Sequence, residues 1–535
     1  MFTPRPGRHR TRTILSATCA FTAVTVGLAI FGAAGESAPS PQTPVSIDLE
    51  TATIQQLHTL LADKKVSAVK LSEFYLKRIA ELNSTGPSLN AVRVINPDWK
   101  AEAERVDQLR ARHEDLGSMM GIPVLIKDNV DVKGLPTPAG SVALANSYPE
   151  DDAPVIKKLK AAGAVILGKT NLAEFAFYTT SGAPNGYSSL GGQVLNPYDA
   201  ALNPGGSSSG SGAAMAVGMA AGTVGSDTGG SILQPSHIMS DVGVRPTVGL
   251  VSRSGVVPIS STNDTTGPIT HTVWDAAAML TAMTTGVDPN DPATATAGKY
   301  DNFDYTKNLS STSLQGARLG YVPATAADPL YDAALKALRD QGATLVLVNL
   351  NANGLPPRVW DYEFKRDLNN YLSKLPSRNN VRSLAQIIAY YHAHPDVALK
   401  FGDTLLEASE AIDIDDPATK AAYQAKQAAG LSEARARIDG ALESNNLQAI
   451  VFAGQNGNTI VTRAAYPAVM VRAGYQAGTL HPEGLEIIGT AYSEARLLNF
   501  AYAYEQATHL WQPPSKINPT LFRCVGVKLG ASSCP

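Results

Sequence analysis

Cysteine is scarce. The 535 residues hold only three, Cys19, Cys524 and Cys534. That excludes a disulfide-built scaffold and a cysteine-rich metal cluster. The nine histidines fall into no ligand-type spacing, which argues against a metal centre. Charge is thin as well: charged residues make up 17%, the formal net charge is -3, and no long run carries one sign. Without a concentrated basic face, a nucleic-acid partner is not expected. Internal repeats are absent. Beyond the first 34 residues, no stretch is apolar for long enough to span a bilayer.

Hydrophobic residues, by contrast, make up 44%, enough for a substantial core. The start of the chain reads as targeting. Arg5, Arg8, Arg10 and Arg12 precede an apolar stretch from Ile14 to Phe31, and then Gly32, Ala33 and Ala34. Basic, apolar, small is the order of a secretory signal peptide, with a membrane anchor as the alternative. The expected organisation is a signal peptide over 1–34, a linker over 35–46, one catalytic-size domain over 47–515 and a tail over 516–535. Export would place the protein in an oxidising compartment, secreted or periplasmic, with a Cys524–Cys534 disulfide. No stable membrane partner is expected once the signal is removed.

Apolar periodicity predicts helices at about 51–64, 67–83 and 98–113. Strand-like runs occur at Ile122–Ile126, Val165–Leu167, Thr223–Gly225, Leu319–Val322, Thr344–Val348, Ala449–Phe452, Ala468–Val471 and Leu485–Ile488. Helices between them indicate an α/β fold with a mixed central β-sheet flanked by helices. Residues 353–440 are richer in helix and charge, and read as a helical insertion that shapes a pocket.

Two motifs mislead. Gly163 to Thr170 fits the phosphate-loop pattern letter for letter. Its Ala-Val-Ile-Leu interior prefers an extended strand, however, and cannot curl its amides around phosphates. Gly206 to Gly210 fits the G-x-S-x-G elbow. The elbow needs an apolar strand before it, and Ala201-Leu-Asn-Pro-Gly205 is turn chemistry.

Three other segments can carry chemistry. One is Gly205-Gly-Ser-Ser-Ser-Gly-Ser-Gly212, followed by a run of small residues. The second is Gly225-Ser-Asp-Thr-Gly-Gly-Ser-Ile232. The third ends an apolar strand at Lys127. A lysine among apolar residues loses hydration, so its charged form is disfavoured and the neutral amine can accept a proton. Serine needs such a base to become a nucleophile. Paired glycines before a serine leave N–H groups free for an oxyanion. Residue chemistry alone leaves this open against a flexible linker and an ordinary surface turn.

These segments resemble the signature region of the amidase signature family, with its G-G-S-S-G-G-S, alanine-rich helix and G-S-D-T-G-G-S-I. The resemblance extends over roughly 47–510, through Lys169 to Phe175, Pro246 to Pro258, Asp264 to Pro268, Tyr466-Pro467 and the segment from Gly484 to Glu494. It implies an amide hydrolase that works without metal or organic cofactor. Ser231 would be the nucleophile, Ser207 the bridging serine after a cis Gly206–Ser207 peptide, and Lys127 the base. Backbone N–H groups of Thr228, Gly229, Gly230 and Ser231 would hold the oxyanion, with Gly206, Ser208, Ser209 and Asp227 in support. Within the family the Ser-rich variant and the signal peptide look most like a peptide amidase, acting on small-molecule or peptide amides.

The chain departs from the family pattern in places. Gln234 follows Ser231-Ile-Leu where many members have arginine after Ser-Ile. Ser240 stands where glycine is expected within His237 to Asp241. Arg245 replaces a lysine and Pro138 a threonine. The departures at 237–241 raise the alternative of a non-catalytic relative. An esterase-like member is a second alternative. An amidotransferase subunit acting on misacylated tRNA shares the fold, but the signal peptide argues against it.

Overall fold

A computed structural model describes residues 47–522. The expected signal peptide, the linker, both tail cysteines and their disulfide lie outside the described residues. No helix among the described residues is long and apolar enough to cross a membrane.

Eleven strands form one sheet: β1 Val92–Ile95, β2 Pro123–Lys127, β3 Val165–Thr170, β4 Gly222–Asp227, β5 Val242–Arg245, β6 Thr265–Thr270, β7 Arg318–Tyr321, β8 Thr344–Leu347, β9 Ala449–Ala453, β10 Ala468–Tyr475 and β11 Pro482–Ile488. Their spatial order is β1-β3-β2-β4-β6-β5-β10-β11-β9-β7-β8. The β3–β2–β4 and β9–β7–β8 neighbours are parallel, and the rest are antiparallel. The sheet is therefore mixed, as expected. Strands β2, β3 and β4 are buried along their whole length, which is why β2 and the start of β3 read as continuous apolar runs rather than alternating ones.

The sequence missed β1, β5 and β6. The first two are four residues long, and Gly243 interrupts one of them. Strand β6 contains Gly267-Pro268, a pair that argues against a central strand. It is tolerated because the ladder to β5 covers only Thr270 and Ile269 and stops before Pro268.

Helices α1 Ile54–Ala62, α2 Ala68–Asn83 and α3 Trp99–Ala111 match the predicted segments. α1 begins with a reciprocal capping box between Thr53 and Gln56. Two short helices flank the Gly/Ser segments, α4 Ser209–Ala216 and α5 Leu233–Ile238. Every residue of α4 is buried, and their small size lets its backbone press on the sheet. Hydroxyls stitch it there: Ser211 Oγ donates to Val224 O at 3.0 Å, and Thr223 Oγ1 donates to Ser211 O at 3.1 Å.

The 353–440 region is helical, as expected, with α6 Trp360–Lys374, α7 Leu384–Ala393 and α8 Pro417–Ser444 as its main elements. Phe364, Leu368 and Tyr391 build a second apolar cluster with Phe175 and Tyr178. Phe175 meets Phe364 edge-on, with ring centroids 5.9 Å apart.

Candidate active site

The two misleading motifs resolve first. Gly163 to Thr170 runs straight into β3, and Lys169 is buried with its Nζ 3.7 Å from Asp128 Oδ1. It forms no phosphate loop. The Gly206–Ser207 peptide is cis, and the chain enters α4 from a turn rather than from a strand.

Lys127 ends β2, and Ser226 and Asp227 end the adjacent parallel strand β4. Parallel pairing therefore brings the lysine and the second Gly/Ser segment to one end of the sheet. Lys127 is fully buried. Its Nζ lies 2.8 Å from Ser207 Oγ, 2.9 Å from Ser226 Oγ and 3.2 Å from Ser226 O. Asn129 Nδ2 donates to the same Ser226 Oγ at 3.0 Å. Burial pushes the Lys127 ammonium down to about 7, against the opposing pull of Asp227 and Asp264. A neutral amine is thus within reach near neutral pH, facing a buried serine hydroxyl.

The Ser231 segment is tied to the Ser207 segment through Ser208. Its N–H donates to Ser231 O at 3.2 Å, and its hydroxyl donates to Ser226 O at 3.1 Å. Ser209 Oγ donates to Gly205 O. Ser231 is half-buried, and its hydroxyl makes no hydrogen bond among the described residues. Lys127 and Ser207 are thus in direct contact, while Ser231 is joined to them through backbone.

Asp227 sets the shape of the loop between β4 and α5. Oδ1 accepts from Gly230 N at 2.9 Å and Oδ2 from Ile232 N at 2.7 Å. Arg245 Nη1 donates to Oδ1 at 2.6 Å, and its Nη2 donates to Asn263 O at 2.9 Å. Charge-assisted bonds of this kind are about twice as strong as neutral ones. They have a cost for the expected oxyanion hole: the Gly230 N–H is spent on Asp227. The N–H groups of Thr228, Gly229 and Ser231 carry no hydrogen bond among the described residues. Thr228 Oγ1 donates to Asp264 Oδ1 at 2.6 Å and so fixes the other end of the loop.

Several residues at the site gave no usable sequence signal. Gln234 Oε1 accepts from Gly206 N at 3.1 Å and Asn185 Nδ2 at 3.2 Å, so this glutamine holds the loop before Ser207. Trp360 starts α6, far away in sequence, and lies against Gly229. A Cβ at position 229 would come within 2.8 Å of its ring. At Gly230, φ is +111° and a Cβ would collide with Asn458 Nδ2. Beside these glycines opens a polar hollow lined by Gln234, Gln455, Asn456, Asn458 and Thr459.

The departures at 237–241 turn out to be packing away from Ser231. His237 Nδ1 accepts from Gly484 N at 2.9 Å, which pins α5 to β11. Ser240 takes the left-handed conformation that glycine would favour, with φ +57°, and its hydroxyl meets Tyr475 Oη at 2.8 Å. Pro138 lies in a turn where its carbonyl accepts from Ser141 N at 3.0 Å.

A buried amine beside a serine, next to a half-exposed serine on a glycine loop, is the equipment of acyl-transfer chemistry. Comparison with known proteins makes the class definite. The amidase family model matches residues 70–455. A probable amidase of Arabidopsis thaliana is 38% identical over 488 residues, 88% of this chain and 93% of that protein. The peptide amidase of Stenotrophomonas maltophilia superposes with a TM-score of 0.81 at 38% identity, covering 87% of this chain and 98% of that one. A peptide amidase in complex with the competitive inhibitor chymostatin gives the same TM-score and identity, covering 87% and 99%. The protein is therefore an amide hydrolase. The chain belongs to the amidase family.

Proposed function

We propose that the protein hydrolyses carboxamides through an acyl-enzyme on Ser231, and that its substrates are peptide C-terminal amides. The observation that carries the mechanism is the buried Lys127 Nζ, 2.8 Å from Ser207 Oγ. Neutral Lys127 takes a proton from Ser207 as Ser207 takes one from Ser231. Ser231 attacks the carbonyl carbon, and the N–H groups of Gly229 and Ser231, with that of Thr228, receive the oxyanion. A single such donor contributes about 3–4 kcal/mol in comparable sites. The proton returns through Ser207 to the departing ammonia or amine, and water then cleaves the ester by the reverse path. Asp227 positions the loop, and Ser208 and Gly206 keep the two serine segments in register.

Two things support the peptide amide substrate. One is the likeness to peptide amidases. The other is the hollow of amide and hydroxyl side chains beside Gly229, which suits a terminal carboxamide. The signal-like N-terminus supports activity outside the cytoplasm. Peptide C-terminal amides are expected to turn over faster than aryl or aliphatic amides. A fluorophosphonate should label Ser231, and Ser231→Ala should lower kcat by at least about 10⁴-fold in a folded protein. Full turnover by Ser231→Ala, or a label that lands elsewhere, would refute the mechanism.

A further inference from the structure

Arg358, reached from Gly229 through Trp360, and its neighbour Arg463 have no carboxylate partner among the described residues. Arg358 Nη2 donates to Thr462 Oγ1 at 3.2 Å, while its Nη1 is enclosed and has no partner among the described residues. The guanidinium stacks over the Trp360 ring, 4.1 Å from its centroid. Arg463 Nη1 donates to Pro356 O, and its Nε is likewise enclosed and unpartnered. Asp227, the acid whose charge reaches Arg358, is already held by Arg245. Burial, together with the charges of Arg463 and Arg245, pushes Arg358 down to about 9.

The position of Arg358 gives this cation a role. On one side Trp360 connects it to Gly229 of the oxyanion loop. On the other, its partner Thr462 lies one helical turn after Asn458, which touches Gly230 and borders the polar hollow. A partly buried cation among cations is unfavourable until an anion arrives. An extended peptide advances about 3.3–3.6 Å per residue. The Trp360 ring touches Gly229 and carries the guanidinium, so a substrate side chain running along this ring meets Arg358.

We infer that Arg358 binds a carboxylate of the substrate, so that the protein favours peptide amides with an acidic side chain next to the amide-bearing residue. The inference rests on the peptide-amide site proposed above. It concerns specificity and leaves the Ser231 chemistry unchanged.

The test separates the two. Binding to Ser231→Ala is measured by calorimetry with two acetylated peptide amides that differ only in Glu or Gln at the penultimate position. The Glu peptide should bind about 10–100-fold more tightly, the range of a charge-assisted contact, and added salt should narrow the gap. Adding Arg358→Gln should erase the preference while holding the Gln peptide within about twofold. Arg358→Lys should keep part of it. Arg463→Gln leaves the Trp360 stack in place and should weaken the same preference. Equal binding of the two peptides, no binding of either, or a preference that survives Arg358→Gln would overturn the assignment. A preference in binding without turnover of either peptide by the Ser231 protein would overturn the mechanism and leave the carboxylate site standing.

Discussion

Lys127 carries an energetic burden that its neighbours reveal. It is fully buried, and its partners are hydroxyls and a carbonyl rather than a carboxylate. Below about pH 7 the folded and unfolded chains both hold its proton, and the folded state bears the whole cost of a buried charge. From there to about 10.5 the folded chain has lost the proton and the unfolded chain keeps it, so this contribution to stability rises with pH. Two outcomes follow for kcat/KM and for denaturation. The rate should climb through about pH 7 to a plateau as the amine becomes neutral. Lys127→Met should abolish activity yet raise the urea midpoint, most at about pH 6 and least at about pH 10. A variant destabilised equally at both ends would show that burial is not the dominant effect on this lysine. At this scale the sequence was generous: Lys127, Ser207 and Ser231 all sit in short, recognisable segments. The fate of the Gly230 N–H was not legible, because it depends on where the Asp227 side chain turns.

Among elements, the loop between β4 and α5 is the critical one. It is gripped from below by Asp227 and covered from above by Trp360. Gly229→Ala would drive a methyl group into the Trp360 ring. A loss of about 10²–10³ in kcat is expected as the oxyanion donor shifts. Trp360→Leu in the same chain should recover at least about tenfold. No recovery would mean that residue 229 acts through its backbone freedom rather than through this contact. Eight strands were legible because short apolar runs bounded by turn residues mark strands. Strand β6 was not, since Gly267-Pro268 argues against a central strand and only its neighbours decide otherwise. Trp360 escaped for a different reason. Its part in the site is a contact made across 131 residues of sequence from Gly229, and no local pattern records it.

For the whole molecule, the Asp227–Arg245 pair links the ends of β4 and β5 across the end of β6. Both side chains are fully buried. Removing one partner leaves the other charged and enclosed, so Arg245→Met should cost about 3–5 kcal/mol in urea unfolding. Arg245→Lys should cost less, because an ammonium can still reach Asp227 but cannot also fork to Asn263 O. Equal losses for Met and Lys would show that the geometry of the fork, rather than the charge, holds these strands. Alternating helix and strand patterns indicated the mixed sheet. The strand order did not follow from them, because it is set by long connections whose lengths fit several arrangements.

The contact of Trp360 with Gly229 also bears on how such a protein changes through time. Lys127 ends β2, Ser231 sits on the loop that follows β4, and Ser207 lies in the turn that leads into α4. The helical stretch meets this end of the sheet at several points, among them the Trp360 edge on Gly229, the Trp360 indole N–H donating to Asn263 Oδ1 and Tyr371 Oη donating to Asp131. With the chemistry proposed for Ser207 and Ser231, substitutions within the helical stretch are expected to change which amides are accepted while those serines keep their places. The same division offers a route to engineering: graft residues 353–440 from a relative, keep a tryptophan at the seam, and let the sheet supply the chemistry.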